Sequence, residues 1–261
     1  MDKVEIKHFD NADQLAQAAA ADWLKELAAR AGDGARYCVA LSGGRIARVF
    51  FSAVAELAKS LPGIMAPVHF FWGDERCVPP NDPESNFRLA RECLLEPLGI
   101  PANQIHRVRG EDAPEVGASE AEAELLRVAP HFSSPRSSPQ DAFTQHATRN
   151  TPTVQPVLDL VFLGMGEDGH TASLFPGESE ETMASPAVFR AVVGPKPPPN
   201  RITLGYGVLA AARRVWVLAS GSGKEQALRE SLAPDGQTPL ARVLKLRKQT
   251  TIFTDLTVAG W

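Results

Sequence analysis

Cysteine is scarce in this chain. There are three in 261 residues, Cys38, Cys77 and Cys93, an odd number with no CxxC spacing. That excludes a disulfide framework and a cysteine-built zinc site, and it fits a reducing compartment. Cys38 lies in an apolar run and reads as a small core residue. Positive charge is also lacking: the formal net charge is −4, with no dense Lys/Arg block, which excludes a general nucleic-acid binder. An anionic ligand must therefore be gripped by a few placed cations rather than by a bulk field. No apolar run reaches membrane-spanning length, and the first residues, MDKVEIKHFDNADQ, are too polar for a secretory signal. The expectation is a cytoplasmic protein with neither a membrane nor a nucleic-acid partner. No internal repeat or linker divides the chain, so one domain over 1–261 is expected, long enough for a substantial core.

What the chain does have is concentrated in residues 158–176, LDLVFLGMGEDGHTASLFP. An apolar, β-rich run breaks into Gly164-Met165-Gly166-Glu167-Asp168-Gly169-His170. A buried strand that ends in a glycine-rich turn is where an open α/β sheet presents its ligand site. The glycines permit close backbone approach. The turn also holds carboxylates and a histidine, the side chain suited to proton transfer near neutral pH.

The rest of the chain alternates. Strands are expected at 4–8, 37–41, 68–72, 187–193, 202–204, 215–219 and 250–254, with a short extended piece at 105–108. Helical patterns occupy about 15–31, 46–60, 86–95, 114–128, 208–212 and the stretch from Lys224 to Leu232. Asn11 or Asp13 is placed to cap the first helix. This alternation predicts an α/β, single-domain, Rossmann-like three-layer sandwich with a mostly parallel central sheet. Residues 131–156 differ: they are crowded with Ser, Pro, Thr, Gln and Asn and lack periodicity, which predicts a flexible surface insertion. His131 and His146 within it read as solvated loop residues rather than ligands.

Four strand-end turns stand out: Ser42-Gly43-Gly44, Gly73-Asp74-Glu75-Arg76, the 164–170 turn, and Gly221-Ser222-Gly223-Lys224. In a parallel sheet they fall on one side and can converge. Together they offer backbone N–H groups, an Arg, a Lys, carboxylates and a His, an inventory suited to a phosphorylated small molecule and an acid/base step. The last turn lacks Walker A spacing, which argues against a nucleoside triphosphate. Each turn also has a plainer reading. Arg76 could pair with Asp74 or Glu75, Asp168 could cap a following helix, and His170 could be a satisfied histidine at a helix start.

Longer motifs decide between these readings. Trp72-Gly73-Asp74-Glu75-Arg76-Cys77-Val78-Pro79-Pro80, followed by Ser85-Asn86-Phe87-Arg88, resembles the WGDERxVPxxxxxSN signature of 6-phosphogluconolactonases. Residues 164–177, GMGEDGHTASLFPG, resemble that family's second motif almost letter for letter. Pro197-Pro198-Pro199-Asn200-Arg201-Ile202-Thr203-Leu204 and Gly221-Ser222-Gly223-Lys224 resemble its third and fourth. The likeness spans nearly the whole chain except 131–156. One turn departs: the family usually reads SGGSTP where this chain has Ser42-Gly43-Gly44-Arg45-Ile46-Ala47, so an Arg replaces hydroxyls and could supply a charge-assisted contact.

The resemblance implies hydrolysis of 6-phosphogluconolactone to 6-phosphogluconate, the second step of the oxidative pentose phosphate pathway. It implies a sugar-phosphate substrate, no metal and no cofactor. His170 is expected as the base that deprotonates water, with Asp168 orienting it. Gly43 and Gly44 N–H groups, or Arg76, are expected to stabilise the oxyanion. Arg76, Arg201 and Lys224, with Arg45, are candidates for the phosphate, and Asp74 and Asn86 for sugar hydroxyls or for fixing Arg76. A monomer is the default expectation. Two rivals remain. Glucosamine-6-phosphate deaminases share a related GxGxDGH turn but follow it with a segment like IAFNEP, whose Glu has no counterpart in 171–176 here. A non-catalytic sugar-phosphate-sensing domain would not need the His-bearing turn.

Overall fold

The structure is a computed structural model and describes residues 4–30, 32, 34–133 and 154–257. Its strands are β1 (Val4–His8), β2 (Tyr37–Leu41), β3 (Val68–Trp72), β4 (Asp74–Arg76), β5 (His131–Ser133), β6 (Val154–Pro156), β7 (Leu160–Gly164), β8 (Phe189–Val193), β9 (Asn200–Leu204), β10 (Arg214–Ala219) and β11 (Thr250–Thr254). Its α-helices are α1 (Ala12–Ala29), α2 (Arg45–Ala58), α3 (Asn86–Ala90), α4 (Pro114–Val128), α5 (Glu180–Met183), α6 (Tyr206–Ala211), α7 (Glu225–Leu232) and α8 (Pro239–Leu246).

Six strands form one wholly parallel sheet in the order β1-β11-β10-β7-β2-β3. β2 and β11 are buried at every position, which demands cover on both faces and explains why they read as continuous apolar or β-branched runs. On one face α1 and α2 pack over β7: the Phe162 ring centroid lies 5.1 Å from that of Trp23 and 4.6 Å from that of Phe50. Local chemistry sets the helix starts. Asn11 accepts from the Gln14 N–H at 2.9 Å at the head of α1, as an N-cap should. Thr238 accepts from the Ala241 N–H at 3.0 Å, and Pro239 follows at the first helical position of α8, a start signal that also fits the rule. The expected helix over 86–95 is split: α3 widens into a π-type turn over Arg91–Leu95.

A second, antiparallel sheet has the order β4-β9-β8. The sequence suggests a turn at 74–76, but those residues form a strand. The charge there is tolerated because Glu75, 2 % exposed, is fully engaged. It accepts from the backbone N–H groups of Arg76 (2.7 Å), Asn86 (2.8 Å) and Phe87 (2.7 Å) and from the Ser85 hydroxyl (3.1 Å). Burial pushes its carboxyl up to about 7, and the three N–H groups oppose that rise. The two ends of the 131–156 segment, expected to lack structure, pair antiparallel as β5 and β6, and the Val157 N–H donates to Pro130 O at 2.7 Å beside them. Residues 134–153, with His146, lie outside the described residues. Among the described residues no helix is long and apolar enough to cross a membrane.

Candidate active site

Because β2, β7 and β10 run parallel, the turns that follow them open on the same side of the sheet. β3 delivers Gly73 there and continues into β4. One cavity of about 280 Å³ collects Gly43, Gly44, Arg45, Asp74, Arg76, Asn86, His170, Arg201 and Lys224. Of the candidate catalytic and substrate-binding residues, only Asp168 lies outside this lining, and it is hydrogen-bonded to His170.

His170 Nδ1 lies 2.5 Å from Asp168 Oδ1, and the His170 backbone N–H donates to the same oxygen at 3.2 Å. A carboxylate at Nδ1 favours the tautomer with its proton there and leaves Nε2 as the free lone pair. Burial alone would raise the Asp168 carboxyl, but the hydrogen bond and charge of His170 outweigh it and hold the group below its usual range. The ring rests against Phe175, with centroids 5.2 Å apart. It also crowds Gly166: a Cβ there would fall 2.0 Å from His170 Nδ1. No helix begins at this turn, so Asp168 caps none and His170 does not open one. The chain is instead folded tightly on itself. The Gly166 N–H donates to His170 O at 2.9 Å, and the Thr171 hydroxyl donates to Gly164 O at 2.9 Å. Ala172, in the cavity lining, takes φ +48°, a left-handed conformation that costs free energy and clusters at functional sites.

The antiparallel sheet forms another wall. Register places Arg76 directly opposite Arg201. Arg76 pairs with neither Asp74 nor Glu75; its guanidinium donates to Glu84 O at 2.6 Å and lies 3.5 Å from the Glu84 carboxylate. Arg201 donates to Pro198 O at 3.1 Å and Lys196 O at 3.3 Å and lies over the Phe175 ring at 5.7 Å. Burial, then the charge of Arg76, lowers its pKa, although a guanidinium stays protonated. Asp74 is committed to neighbours: Oδ1 accepts from Asn86 Nδ2 at 3.2 Å and Oδ2 from the Ser173 hydroxyl at 2.6 Å. Asn86 packs so close to the first turn that a Cβ on Gly43 would fall 1.8 Å from its Oδ1. Gly43 is therefore required by packing, whatever else its N–H does.

Arg45 opens α2, and Lys224 sits at the head of α7. Burial lowers the Lys224 pKa, Arg45 lowers it further, and Glu167 and Asp255 work in the other direction. Asp255 fixes the loop before Lys224 by accepting from the Ser220 hydroxyl at 2.7 Å and the Gly221 N–H at 3.3 Å. Sequence reasoning missed Asp255, the acceptor role of Glu75, and Ser173. It also missed Lys196, which lines the cavity from the 194–199 loop. Five cations, Arg45, Arg76, Lys196, Arg201 and Lys224, face two lining carboxylates, Asp74 and Glu167. The site is thus locally positive on a chain of net charge −4, which concentrates anions there. A larger cleft of about 1070 Å³ is lined by Asp168 and Phe175, neither of which lines the smaller cavity. Its buried Arg190 is already paired with Glu178 at 3.1 Å, so the reactive inventory belongs to the smaller cavity.

A parallel α/β sheet whose strand-end turns bring His170, with Asp168 bonded to it, and several cations to one cavity is an arrangement that can bind a small anion and move a proton. The particular family follows from comparison with known proteins. The family described as glucosamine-6-phosphate isomerases/6-phosphogluconolactonase matches residues 10–253, and the chain belongs to it. A 6-phosphogluconolactonase of Nostoc sp. is 37% identical over 201 residues, covering 76% of this chain and 72% of the relative. One from Mycobacterium tuberculosis is 29% identical over 248 residues, covering 95% and 94%. The structure of 6-phosphogluconolactonase from Trypanosoma brucei superposes with a TM-score of 0.81 at 26% identity over 97% of each chain. A monomeric glucosamine-6-phosphate deaminase, at 16% identity and a TM-score of 0.69 over 97% of this chain and 96% of its own, shares the fold.

Proposed function

We propose that this chain hydrolyses 6-phospho-D-glucono-1,5-lactone to 6-phospho-D-gluconate in the oxidative pentose phosphate pathway, with His170 as general base. The observation that carries the reading is the 2.5 Å contact of His170 Nδ1 with Asp168 Oδ1, beside a cation-lined cavity that His170 itself lines. A lactone is an activated ester, so water needs only a base and a polarised carbonyl. Nε2 takes a proton from water as its oxygen bonds to C1. Asp168 stabilises the imidazolium that forms. The tetrahedral intermediate collapses by breaking the bond between C1 and the ring oxygen, and the imidazolium returns its proton to that oxygen. The products are the 5-hydroxyl and a C1 carboxylic acid, which ionises. Arg201 lies over Phe175, which also touches His170, and Arg76 stands opposite Arg201 across the β4–β9 ladder, so positive charge is available to the developing oxyanion. On this reading the enzyme works as a cytoplasmic monomer without a cofactor.

The test is disappearance of 6-phosphogluconolactone, corrected for its spontaneous hydrolysis, run beside an assay for ammonia release from glucosamine 6-phosphate. Lactone turnover without ammonia is expected. Ammonia release, or binding of the sugar phosphate with no turnover, would overturn the reading.

A further inference from the structure

Away from the reaction cavity, a row of ionisable side chains meets at the edge of the parallel sheet. His69 lies on the edge strand β3. His106 lies in the extended piece beside it, where its backbone N–H donates to Phe70 O at 2.8 Å. His69 Nδ1 and His106 Nε2 are 2.8 Å apart. The ring centroids are 5.1 Å apart and the planes 18° from parallel, so the rings meet nitrogen to nitrogen, nearly in one plane. On its other side His106 Nδ1 lies 2.7 Å from Glu124 Oε1 on α4. Arg127, also on α4, donates to both oxygens of that carboxylate, at 2.8 and 2.7 Å. Its hydrogen bonds, against the opposing effect of burial, hold Glu124 down at about 2. Arg36, just before β2, also faces the pair. Neither histidine lines the reaction cavity.

These contacts fix the protons. The ionised Glu124 only accepts, so His106 Nδ1 carries a proton and Nε2 keeps its lone pair. His69 Nδ1 then donates to that lone pair. One further proton can add at His69 Nε2 with every bond kept. A second has to add at His106 Nε2, which sets two N–H groups and two positive charges against each other at 2.8 Å. We infer that His69 and His106 form an acid-opened latch: the pair accepts one proton and parts at the second, freeing residues 105–110 and the end of α4 from the edge of the sheet. The two rings therefore titrate as a unit. Burial, above all, lowers the proton affinity of both. His106 adds to this at His69, Glu124 opposes it at His106, and Arg36 and Arg127 lower both. In the open form the rings return to an ordinary pKa of about 6.5 and take up protons that the closed form refuses. The latch is thus fully closed above about pH 6.5 and weakens as pH falls below it. What it frees lies behind β4: a Cβ on Gly110 would fall 2.2 Å from Arg76 O and 3.0 Å from Val78 O. The inference stands independently of the lactonase reading.

Hydrogen exchange of the full chain tests this, read by mass spectrometry between about pH 7.5 and 5 and corrected for the intrinsic pH dependence of exchange. Peptides covering 103–110 and 121–128 should lose protection by about tenfold per pH unit below about pH 6, as one excess proton in the open form requires. Peptides covering β7 and β10 should keep theirs. His69→Asn places an amide where Nδ1 stood, and that amide can turn to donate to neutral His106 or to accept from its protonated form. Exchange in this variant should therefore be nearly flat with pH. Should the variant not fold, NMR titration of the wild-type imidazoles decides: the pair should take up one proton as pH falls, and the second only as exchange in 103–110 rises. Four results would overturn the latch: unchanged protection in the wild type, the same loss in His69→Asn, a loss shared by β7 and β10, or uptake of two protons with 103–110 still protected.

Discussion

The six-stranded and the three-stranded sheet differ in what they bury. β2 and β11 bury apolar or threonine side chains at every position, whereas β4 buries Asp74 and Glu75 and sets Arg76 against Arg201. The large sheet is held by apolar burial and close packing, which leaves its strand-end turns free to carry chemistry. In the small sheet, hydrogen bonds to the buried Glu75 carboxylate hold the backbone around Arg76, while the Arg76 guanidinium donates to Glu84 O and that of Arg201 to Pro198 O and Lys196 O. Stability and preorganised charge are thus assigned to different sheets, and substitutions should separate them.

The largest effect is expected in the parallel sheet. Phe162, 2 % exposed, packs against Trp23, Phe50 and Trp216. Phe162→Ala should cost about 3–5 kcal/mol of unfolding free energy, read from denaturant titration, with KM of the surviving folded fraction close to wild type. A loss below about 1 kcal/mol would contradict the view that this layer holds the fold. Next comes Gly166→Ala. Its Cβ would collide with the His170 ring, so the ring must leave Asp168. We expect kcat to fall about a hundredfold, the scale of a mispositioned catalytic group, with a small change in thermal stability. Unaltered kcat would show that His170 does not need the position seen here.

The smallest effect concerns Glu75. Folding raises its carboxyl from 4.5 to about 7, so the folded state binds that proton more tightly than the unfolded chain. Its contribution to stability is full below about pH 4.5 and is lost as pH rises through about 7. Glu75→Gln cannot titrate. Its stability relative to wild type should therefore rise between pH 4.5 and 7.5 in a series of chemical denaturations. A flat difference across that window would mean that the buried carboxyl keeps its ordinary affinity for the proton.

Much of the parallel sheet is legible in the sequence, because strands buried on both faces appear as continuous apolar runs closed by glycine. The His170 turn is legible for the same reason: Gly164, Gly166 and Gly169 interrupt such a run, and ionisable residues lie between them. The opposition of Arg76 and Arg201 is not. It depends on an antiparallel register between segments far apart in the chain, and Asp74-Glu75-Arg76 carries the composition of a turn. Only the acceptors that surround Glu75 explain how it becomes a strand. Lys196 sits in a proline run that reads as a stiff loop, with nothing to mark it as facing a cavity. The start of α8 is a different case: Thr238 followed by Pro239 is a local start signal, overlooked because the polar stretch before it masks the period. Residues 134–153 lie outside the described residues, so the expected flexible insertion remains a proposal about the sequence.

The central claim is that His170, held by Asp168, removes the proton from the attacking water. Steady-state kinetics of His170→Ala on 6-phosphogluconolactone, with spontaneous hydrolysis subtracted, tests it most directly. The expected result is a kcat lower by roughly two to four orders of magnitude, the range for loss of a general base, with KM little changed. Turnover near that of the wild type would contradict it.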